Sequence, residues 1–245
     1  MESLTSISIV IPAYNEEKRL PQTLCSVVEY LKAAAWNSWE ILVVNDGSRD
    51  GTAAVGRHFA EGCSNIRVIE NPGNRGKGYS VRHGMLEATG TWVLFTDSDL
   101  SAPIVELDKL AAAAKAAGAD VAIGSRAVDR RLIEVHQTWF RETAGRIFNL
   151  FMRVITCLPF ADTQCGFKLF RGAAAKEVFR RQRIERWGFD AEVLFIACKL
   201  GYKTVEVPVR WSHSEGTKVS MLRDSVNMFA DLLRIRWNNL KGLYC

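Results

Sequence analysis

Two carboxylates two residues apart, Asp97 and Asp99, follow the apolar run Trp92-Val-Leu-Phe95. Residues two apart in an extended chain project to one side, so both acids can face one point beyond the strand's carboxyl end. In open α/β sheets ligands bind at that edge. Two hard oxygen ligands with neither His nor Cys beside them suit Mg²⁺ or Mn²⁺, which keep their remaining positions for water and substrate phosphate. An Asp pair is equally at home in a solvated turn or a helix cap. The rest of the chain has to decide between these readings.

Three further turns follow apolar runs: Pro12-Ala-Tyr-Asn-Glu16, Asn45-Asp-Gly-Ser48 and Asn74-Arg-Gly-Lys-Gly78. In a parallel sheet all four turns open on the same edge, which brings Asp46, Lys77, Asp97 and Asp99 within reach of one ligand. Carboxylates hold ribose hydroxyls or a metal, and a lysine neutralises phosphate. The glycine-rich turn is not a Walker A loop, because Asn71 stands at its first position and Gly78 follows Lys77. It is not a dinucleotide fingerprint either: Val81 occupies the third small position, and the first βα turn has no glycine. Nor does Pro12–Glu17 have the Gly-rich basic loop that a sugar-phosphate nucleotidyltransferase would carry there.

The elements that must hold these turns can be read from apolar pattern. Strands are expected at Ser6–Ile11, Glu40–Val44, Ile66–Ile69, Trp92–Phe95 and Asp120–Gly124. Helices are expected at about Glu16–Ala35, Asp50–Glu61 and Tyr79–Ala88, with an alanine-rich one after Pro103. Such alternation predicts βαβ units and a largely parallel sheet, and near-continuously apolar strands predict cover on both faces. The second half reads as helices with one short strand, Val205–Val209, and many Arg and Trp residues. A single domain over 1–245 is expected, with a nucleotide-binding half (1–125) and an acceptor-handling half (126–245).

Composition bounds the rest. With 48% hydrophobic and 24% charged residues among 245, the chain is globular. Its net charge of +5 tolerates anionic partners without demanding nucleic acid. The six scattered cysteines show no metal spacing and read as reduced thiols of a cytosolic protein. The amino terminus has no basic n-region, so no signal peptide is expected. The longest apolar stretch, Ile147 to Phe160, is broken by Asn149 and Arg153 and is too short to span a bilayer. Two basic amphipathic helices are expected. The first, Trp139–Leu158, has Phe140, Ile147, Phe148, Phe151, Val154, Ile155 and Leu158 opposite Glu142, Arg146, Asn149 and Arg153. In the second, Val219–Leu240, Leu222, Val226, Phe229, Leu233 and Leu240 form a stripe with Arg223, Arg234, Arg236 and Lys241 around it. Such helices either pack on a sheet or lie in a lipid interface.

The motif series Val10-Ile-Pro-Ala-Tyr-Asn-Glu-Glu17, Val44-Asn-Asp-Gly-Ser48, Arg75-Gly-Lys-Gly78 and Asp97-Ser-Asp99 resembles the family-2 inverting glycosyltransferases of GT-A fold. Asp162-Thr-Gln-Cys-Gly-Phe-Lys168, Arg186-Trp-Gly-Phe-Asp190 and Leu222-Arg-Asp-Ser225 resemble their polyprenyl-phosphate branch, the dolichyl-phosphate β-glucosyltransferases first and the mannose synthases next. The resemblance implies a Rossmann-like α/β fold and transfer of glucose from UDP-glucose to dolichyl or polyprenyl phosphate, the alternatives being GDP-mannose-dependent mannosyl transfer and a non-catalytic nucleotide-sugar-binding protein. Pro12, Tyr14, Glu16 and Asp46 would line the base and ribose pocket, extended by Lys77 and Asp97. Asp99, with Asp97, would hold Mg²⁺ or Mn²⁺. Mannose synthases can add a third ligand at the position of Ser101, a weaker donor, so two carboxylates plus water are expected. Asp162 would sit beside the donor sugar as a catalytic residue, or else pin its loop.

A lipid phosphate monoester, with a second pKa of about 6, is mostly a dianion at neutral pH. It needs cations rather than a general base. Arg126 and Arg141 are the candidates for holding it, because arginine binds phosphate with forked donors; the plainer alternatives are a strand-end cap and a solvated helix face. Asp190 and Glu192 read as structural. The eukaryotic glucosyltransferases carry an amino-terminal anchor that this sequence does not show. Attachment to the cytoplasmic face of a membrane is therefore expected through the amphipathic helices.

Overall fold

The computed structural model describes residues 6–135, 150–213 and 221–245. The first half alternates as expected: β1 (Ser6–Ala13), α1 (Leu20–Ala33), β2 (Ser38–Asn45), α2 (Thr52–Gly62), β3 (Ile66–Glu70), α3 (Lys77–Glu87) and β4 (Trp92–Thr96). A 3₁₀ turn, Ile104–Glu106, leads into α4 (Leu107–Ala117), which ends at Gly118 in the left-handed conformation, and β5 (Val121–Ser125) follows. Then come β6 (Ile133–Val135), a helical stretch over residues 150–156 (α5), β7 (Phe167–Arg171), α6 (Gly172–Arg181) and α7 (Phe189–Lys199). The chain closes with β8 (Thr204–Pro208), β9 (Trp211–Ser212) and α8 (Met221–Leu240).

Seven strands form one sheet in the order β3-β2-β1-β4-β7-β5-β8, and β6 pairs with β9 apart from it. All neighbours in the main sheet are parallel except β7, which runs antiparallel between β4 and β5. Strand β7 corrects the expectation of a single strand in the second half. Its Lys168 breaks the apolar run Phe167–Phe170, yet that lysine is wholly buried. The strand exists because α7 supplies Asp190 as its counter-charge, 2.5 Å from Nζ, a partner invisible in local sequence. Strands from both halves of the chain thus share one sheet.

Alternation along the strands divides the core. Ile7, Ile9 and Ile11 face α1 and α4, whereas Val10, Val44 and Phe95 face α3, α6 and α7. Phe95 is enclosed by the rings of Phe170, Phe179 and Phe189, with centroids 5.8–6.4 Å away. Burying each such side chain stabilises the fold by about 2–3 kcal/mol. This packing fixes the strand ends from which the turns project.

The amphipathic helices only partly follow expectation. Of the first, residues up to Asn149 lie outside the described residues. In α5, Phe151 and Val154 are exposed while Leu158 just beyond it is buried. Helix α8 packs on the domain through Leu232 and Ile235 and leaves Phe229, Leu233, Trp237 and Leu240 each more than 40% exposed. Among the described residues no helix is long and apolar enough to cross a membrane.

Candidate active site

The carboxyl ends of β1, β2 and β4 and the amino end of α3 surround a cavity of about 570 Å³, within the size range of small-molecule sites. Eight residues expected from the sequence line it: Pro12, Tyr14, Glu16, Asp46, Lys77, Asp97, Asp99 and Arg126. Asp162 does not, and Arg141 lies outside the described residues.

Asp46 organises the glycine-rich turn. Its carboxylate accepts the backbone N–H groups of Arg75 (2.9 Å) and Gly76 (2.8 Å) and the side-chain amide of Asn71 (2.8 Å). Three donors on one carboxylate explain why an acidic residue is tolerated almost without exposure. Gly76 is required twice over. It sits at φ 107°, and a Cβ there would lie 2.7 Å from the Glu185 carbonyl oxygen.

The two acids of the Asp97–Asp99 segment reach the same cavity by a different geometry from the extended one expected. β4 ends at Thr96, and Asp97 to Leu100 form a turn closed by Leu100 N–H donating to Asp97 O at 3.2 Å. Leu100 sits at φ 46°, a left-handed conformation that costs a bulky residue about 1–2 kcal/mol. Asp99 Oδ1 accepts the Ser101 N–H at 3.0 Å, which leaves Oδ2 with Arg19 Nη1 4.0 Å away. The Asp97 carboxylate lies between Lys77 Nζ, 2.6 Å from Oδ1, and the backbone of Gly166, where a Cβ would collide with it. Burial pulls the Lys77 ammonium down, but Asp97, Asp190 and Asp99 outweigh it and hold the group above the ordinary lysine range. Two carboxylates at the cavity wall, with oxygen the only donor atom on either, fit a hard divalent cation completed by water and ligand phosphate. Among the described residues no cluster of three or more His, Cys, Asp or Glu side chains forms, so Asp97 and Asp99 alone would supply the acidic ligands.

The expectation that Arg126 is free for a bidentate phosphate is corrected. Its Nε and Nη2 donate to the two oxygens of Asp162, at 2.6 and 2.9 Å, and its backbone N–H donates to the same carboxylate at 3.0 Å. Asp162 lies behind Arg126 and Gln164, whose side chains line the cavity. Of the two roles left open for Asp162, this geometry matches the pin rather than direct contact with a sugar. A carboxylate only 4% exposed needs a counter-charge, and Arg126 is the one in reach. Glu206 of β8 accepts the Ala161 and Asp162 N–H groups at 2.9 and 2.7 Å, fixing the loop from beneath. The Arg126 guanidinium is thereby held 5.4 Å from the Trp211 ring centroid, and both residues line the cavity. Cys165 nearby is inert, since burial and then Asp162 push its thiol up to about 12.

Burial pushes the Asp162 carboxyl up, yet Arg126 prevails and holds it at about 2, against an ordinary 3.8. A depressed folded-state value stabilises above pH 4 and is lost as pH falls toward 2, a swing of about 2 kcal/mol. Arg126→Met is expected to destabilise the protein by about 3 kcal/mol at pH 7. That difference should shrink by about 1 kcal/mol or more at pH 3, where the orphaned carboxyl is protonated. Urea unfolding at both pH values measures this, and a pH-independent difference would exclude the pair as its source.

Reasoning from sequence missed Arg186, Trp187, Trp211 and His213, all lining the cavity. Trp187 and Phe189 face the Lys77 ammonium at 5.5 and 5.9 Å. Trp211 and His213 stack with centroids 6.1 Å apart. The Trp211 segment is strapped over the acidic turn by Ser212 N–H donating to Ser101 O (2.8 Å) and by Arg210 Nε bonding buried Glu106 (2.7 Å). The local signals were the Arg186-Trp-Gly-Phe-Asp190 motif, to which no site role was given, and the abundance of Arg and Trp in the second half. Their convergence depends on β8 and α7 lying beside β5 and α3.

The sequence profile described as glycosyl transferase family 2 matches residues 8–179. A dolichyl-phosphate beta-glucosyltransferase of Trichomonas vaginalis is 39% identical over 240 residues, covering 94% of this chain and 72% of the relative. The Drosophila melanogaster protein of that name is 35% identical, covering 97% and 76%. The Saccharomyces cerevisiae one is 33% identical, again covering 97% and 76%. Among solved structures, the glucosyl-3-phosphoglycerate synthase of Mycobacterium tuberculosis with Mn²⁺, UDP-glucose and phosphoglyceric acid superimposes with TM-score 0.67 at 19% identity, over 94% of this chain and 79% of that one. The mannosyl-3-phosphoglycerate synthase of Rubrobacter xylanophilus gives 0.68 at 18%, over 98% and 75%. These two likenesses establish the shared fold.

Proposed function

The chain belongs to glycosyl transferase family 2, and from that premise we propose that it moves glucose from UDP-glucose to the phosphate of dolichol or a related polyprenol, with inversion. The observation that carries this reading is the convergence of Asp46, Lys77, Asp97 and Asp99 on one cavity. The shared name of the relatives, at 33–39% identity over nearly the whole chain, supports the acceptor class. The UDP-glucose and Mn²⁺ in the mycobacterial synthase are compatible with the donor and with a divalent ion here.

Asp97 and Asp99 would hold Mg²⁺ or Mn²⁺, which when bound supplies positive charge to a departing nucleoside diphosphate. Pro12, Tyr14 and Glu16 would line the base and ribose end. Lys77, at the first position of α3, would pass from Asp97 to the diphosphate, aided by the helix amino terminus. Arg126, locked by Asp162, offers a fixed positive charge opposite. No residue need take a proton from the acceptor, because its phosphate is already mostly dianionic.

The apolar face of α5 and α8 would rest on the membrane that carries the acceptor. Phe151 and Phe229 bring the two helices together, with ring centroids 6.2 Å apart, and exposed Arg153, Arg234, Arg236 and Lys241 flank the face. Basic rims around an apolar stripe suit an anionic interface. The pure protein is expected to sediment with anionic liposomes at low salt, and Leu233→Glu/Trp237→Glu to remain in the supernatant. Wild-type protein found only in the supernatant would reject the surface. For the reaction, protein, Mg²⁺, labelled nucleotide sugar and a polyprenyl phosphate are incubated and extracted into organic solvent. Label staying wholly aqueous with both UDP-glucose and GDP-mannose would reject the transferase.

A further inference from the structure

The Arg186-Trp-Gly-Phe-Asp190 run backs Lys77 through Trp187, Phe189 and Asp190, but Arg186 has no part in that arrangement, and many contacts hold the run in place. Between α6 and α7, Gln182 donates to the Gly78 and Ile184 carbonyls (2.9 and 2.8 Å), and the Tyr79 N–H donates to the Glu185 carbonyl (3.0 Å). Buried Glu192 of α7 accepts the Arg183 and Ile184 N–H groups at 3.0 and 2.8 Å. The Glu185 carboxylate pairs with Arg75 at 2.7 Å. These bonds fasten the loop to the glycine-rich turn, and its Arg186 and Trp187 line the cavity.

Three guanidinium groups line that cavity. Arg126 is committed to Asp162. Arg19 faces Glu16 at 3.6 Å and Asp99 at 4.0 Å. Arg186 is met by no carboxylate or hydrogen-bond acceptor among the described residues, although its stem packs within 3.1 Å of where a Gly76 Cβ would stand. That guanidinium is exposed at the cavity wall with no protein acceptor among the described residues, so its forked N–H donors are open to an anion.

The other end of the loop indicates which anion. Gly188 donates its N–H to Asp231 of α8, and a Cβ on Gly188 would lie 2.6 Å from the Asp231 Cβ. Asp231 stands between the exposed Phe229 and Leu233 on that helix. The Tyr244 hydroxyl, donating to Glu192 at 2.6 Å, ties the chain's end to the same loop. Arg186 is therefore two residues from the point where the loop meets the apolar helix, and a phosphate with a hydrocarbon tail along α8 would present its head group there.

We propose that Arg186 is the residue that receives the phosphate of the lipid acceptor, an inference that rests on the acceptor class proposed above. Its forked donors hold two phosphate oxygens while a third stays free to attack. Lys77, paired with Asp97, serves the diphosphate side.

The test uses binding, so it does not depend on turnover. Farnesyl phosphate, farnesol and UDP with Mn²⁺ are titrated separately into wild type, Arg186→Gln and Arg186→Lys, with tryptophan fluorescence as readout. One bidentate charged contact corresponds to roughly a tenfold to hundredfold change. Farnesyl phosphate affinity is expected to fall by at least tenfold in Arg186→Gln and to recover partly in Arg186→Lys, with UDP within twofold and farnesol unchanged. An unchanged farnesyl phosphate affinity, no farnesyl phosphate binding by wild type, or a shift confined to UDP would each overturn the assignment. Wild type that binds farnesyl phosphate through Arg186 yet transfers no sugar would refute the transferase reading alone.

Discussion

Asp99→Asn is expected to fold like wild type and to lose sugar transfer by about a thousandfold. The substitution keeps the shape of the side chain, and its amide oxygen can still accept the Ser101 N–H that Oδ1 takes at 3.0 Å. It removes the charge at Oδ2, the oxygen left for a cation. Charge stabilisation of a leaving diphosphate by a bound ion is worth several kcal/mol, and about 4 kcal/mol corresponds to three orders of magnitude. The melting temperature should stay within about 2 °C, since Asp99 is partly exposed and its ion pair with Arg19 is long, at 4.0 Å. Ser101→Ala serves as the control and should change the rate less than tenfold. Asp99→Asn enzyme retaining a tenth of wild-type turnover, or a variant that loses fold and activity together, would remove Asp99 from the proposed mechanism.

Lys168→Met is expected to be the most damaging single change to the fold. Nζ is wholly buried, bonded to Asp190 at 2.5 Å and to the Cys165 carbonyl at 2.6 Å, and lies 5.2 Å from the Phe95 ring centroid. Burial pushes the Asp190 carboxyl up even with Lys168 and Lys77 opposing, so the pair is finely balanced against desolvation. Removing one partner strands a buried charge and costs about 3–5 kcal/mol, a large share of the 5–15 kcal/mol typical of a domain. A fall of about 10 °C in melting temperature is expected. Replacing both partners, Lys168→Met with Asp190→Leu, should restore more than half of that loss, because an apolar pair of similar volume carries no stranded charge. A double variant no more stable than the single one would show that the penalty comes from packing and not from charge.

The gathering of Asp46, Lys77, Asp97 and Asp99 at one sheet edge was legible because its signals are local. The Asn-Asp-Gly and Arg-Gly-Lys-Gly turns follow apolar runs, and βα alternation alone places successive turns at one sheet edge. The contribution of the second half of the chain was not. The run Phe167-Lys-Leu-Phe170 is not among the strands expected from sequence; its lysine is accommodated in the sheet by Asp190, 22 residues away. Arg126 reads as an open phosphate ligand for the same reason: its claimant, Asp162, is 36 residues distant.

By itself the sequence determined the strand–helix alternation, the edge where Asp46, Lys77, Asp97 and Asp99 meet, and the family, since each follows from periodicity or a contiguous motif. Only the tertiary structure decided which charges are spent on one another and which stay open. It pairs Arg126 with Asp162 and Lys77 with Asp97, and leaves Arg186 facing the cavity. It also decided that α8 turns Leu233 and Trp237 outward. The reason is physical: an ion pair forms between whatever charges the packing of the sheet brings within a few ångströms, and that distance is set by which strands, helices and turns lie side by side, not by spacing along the chain.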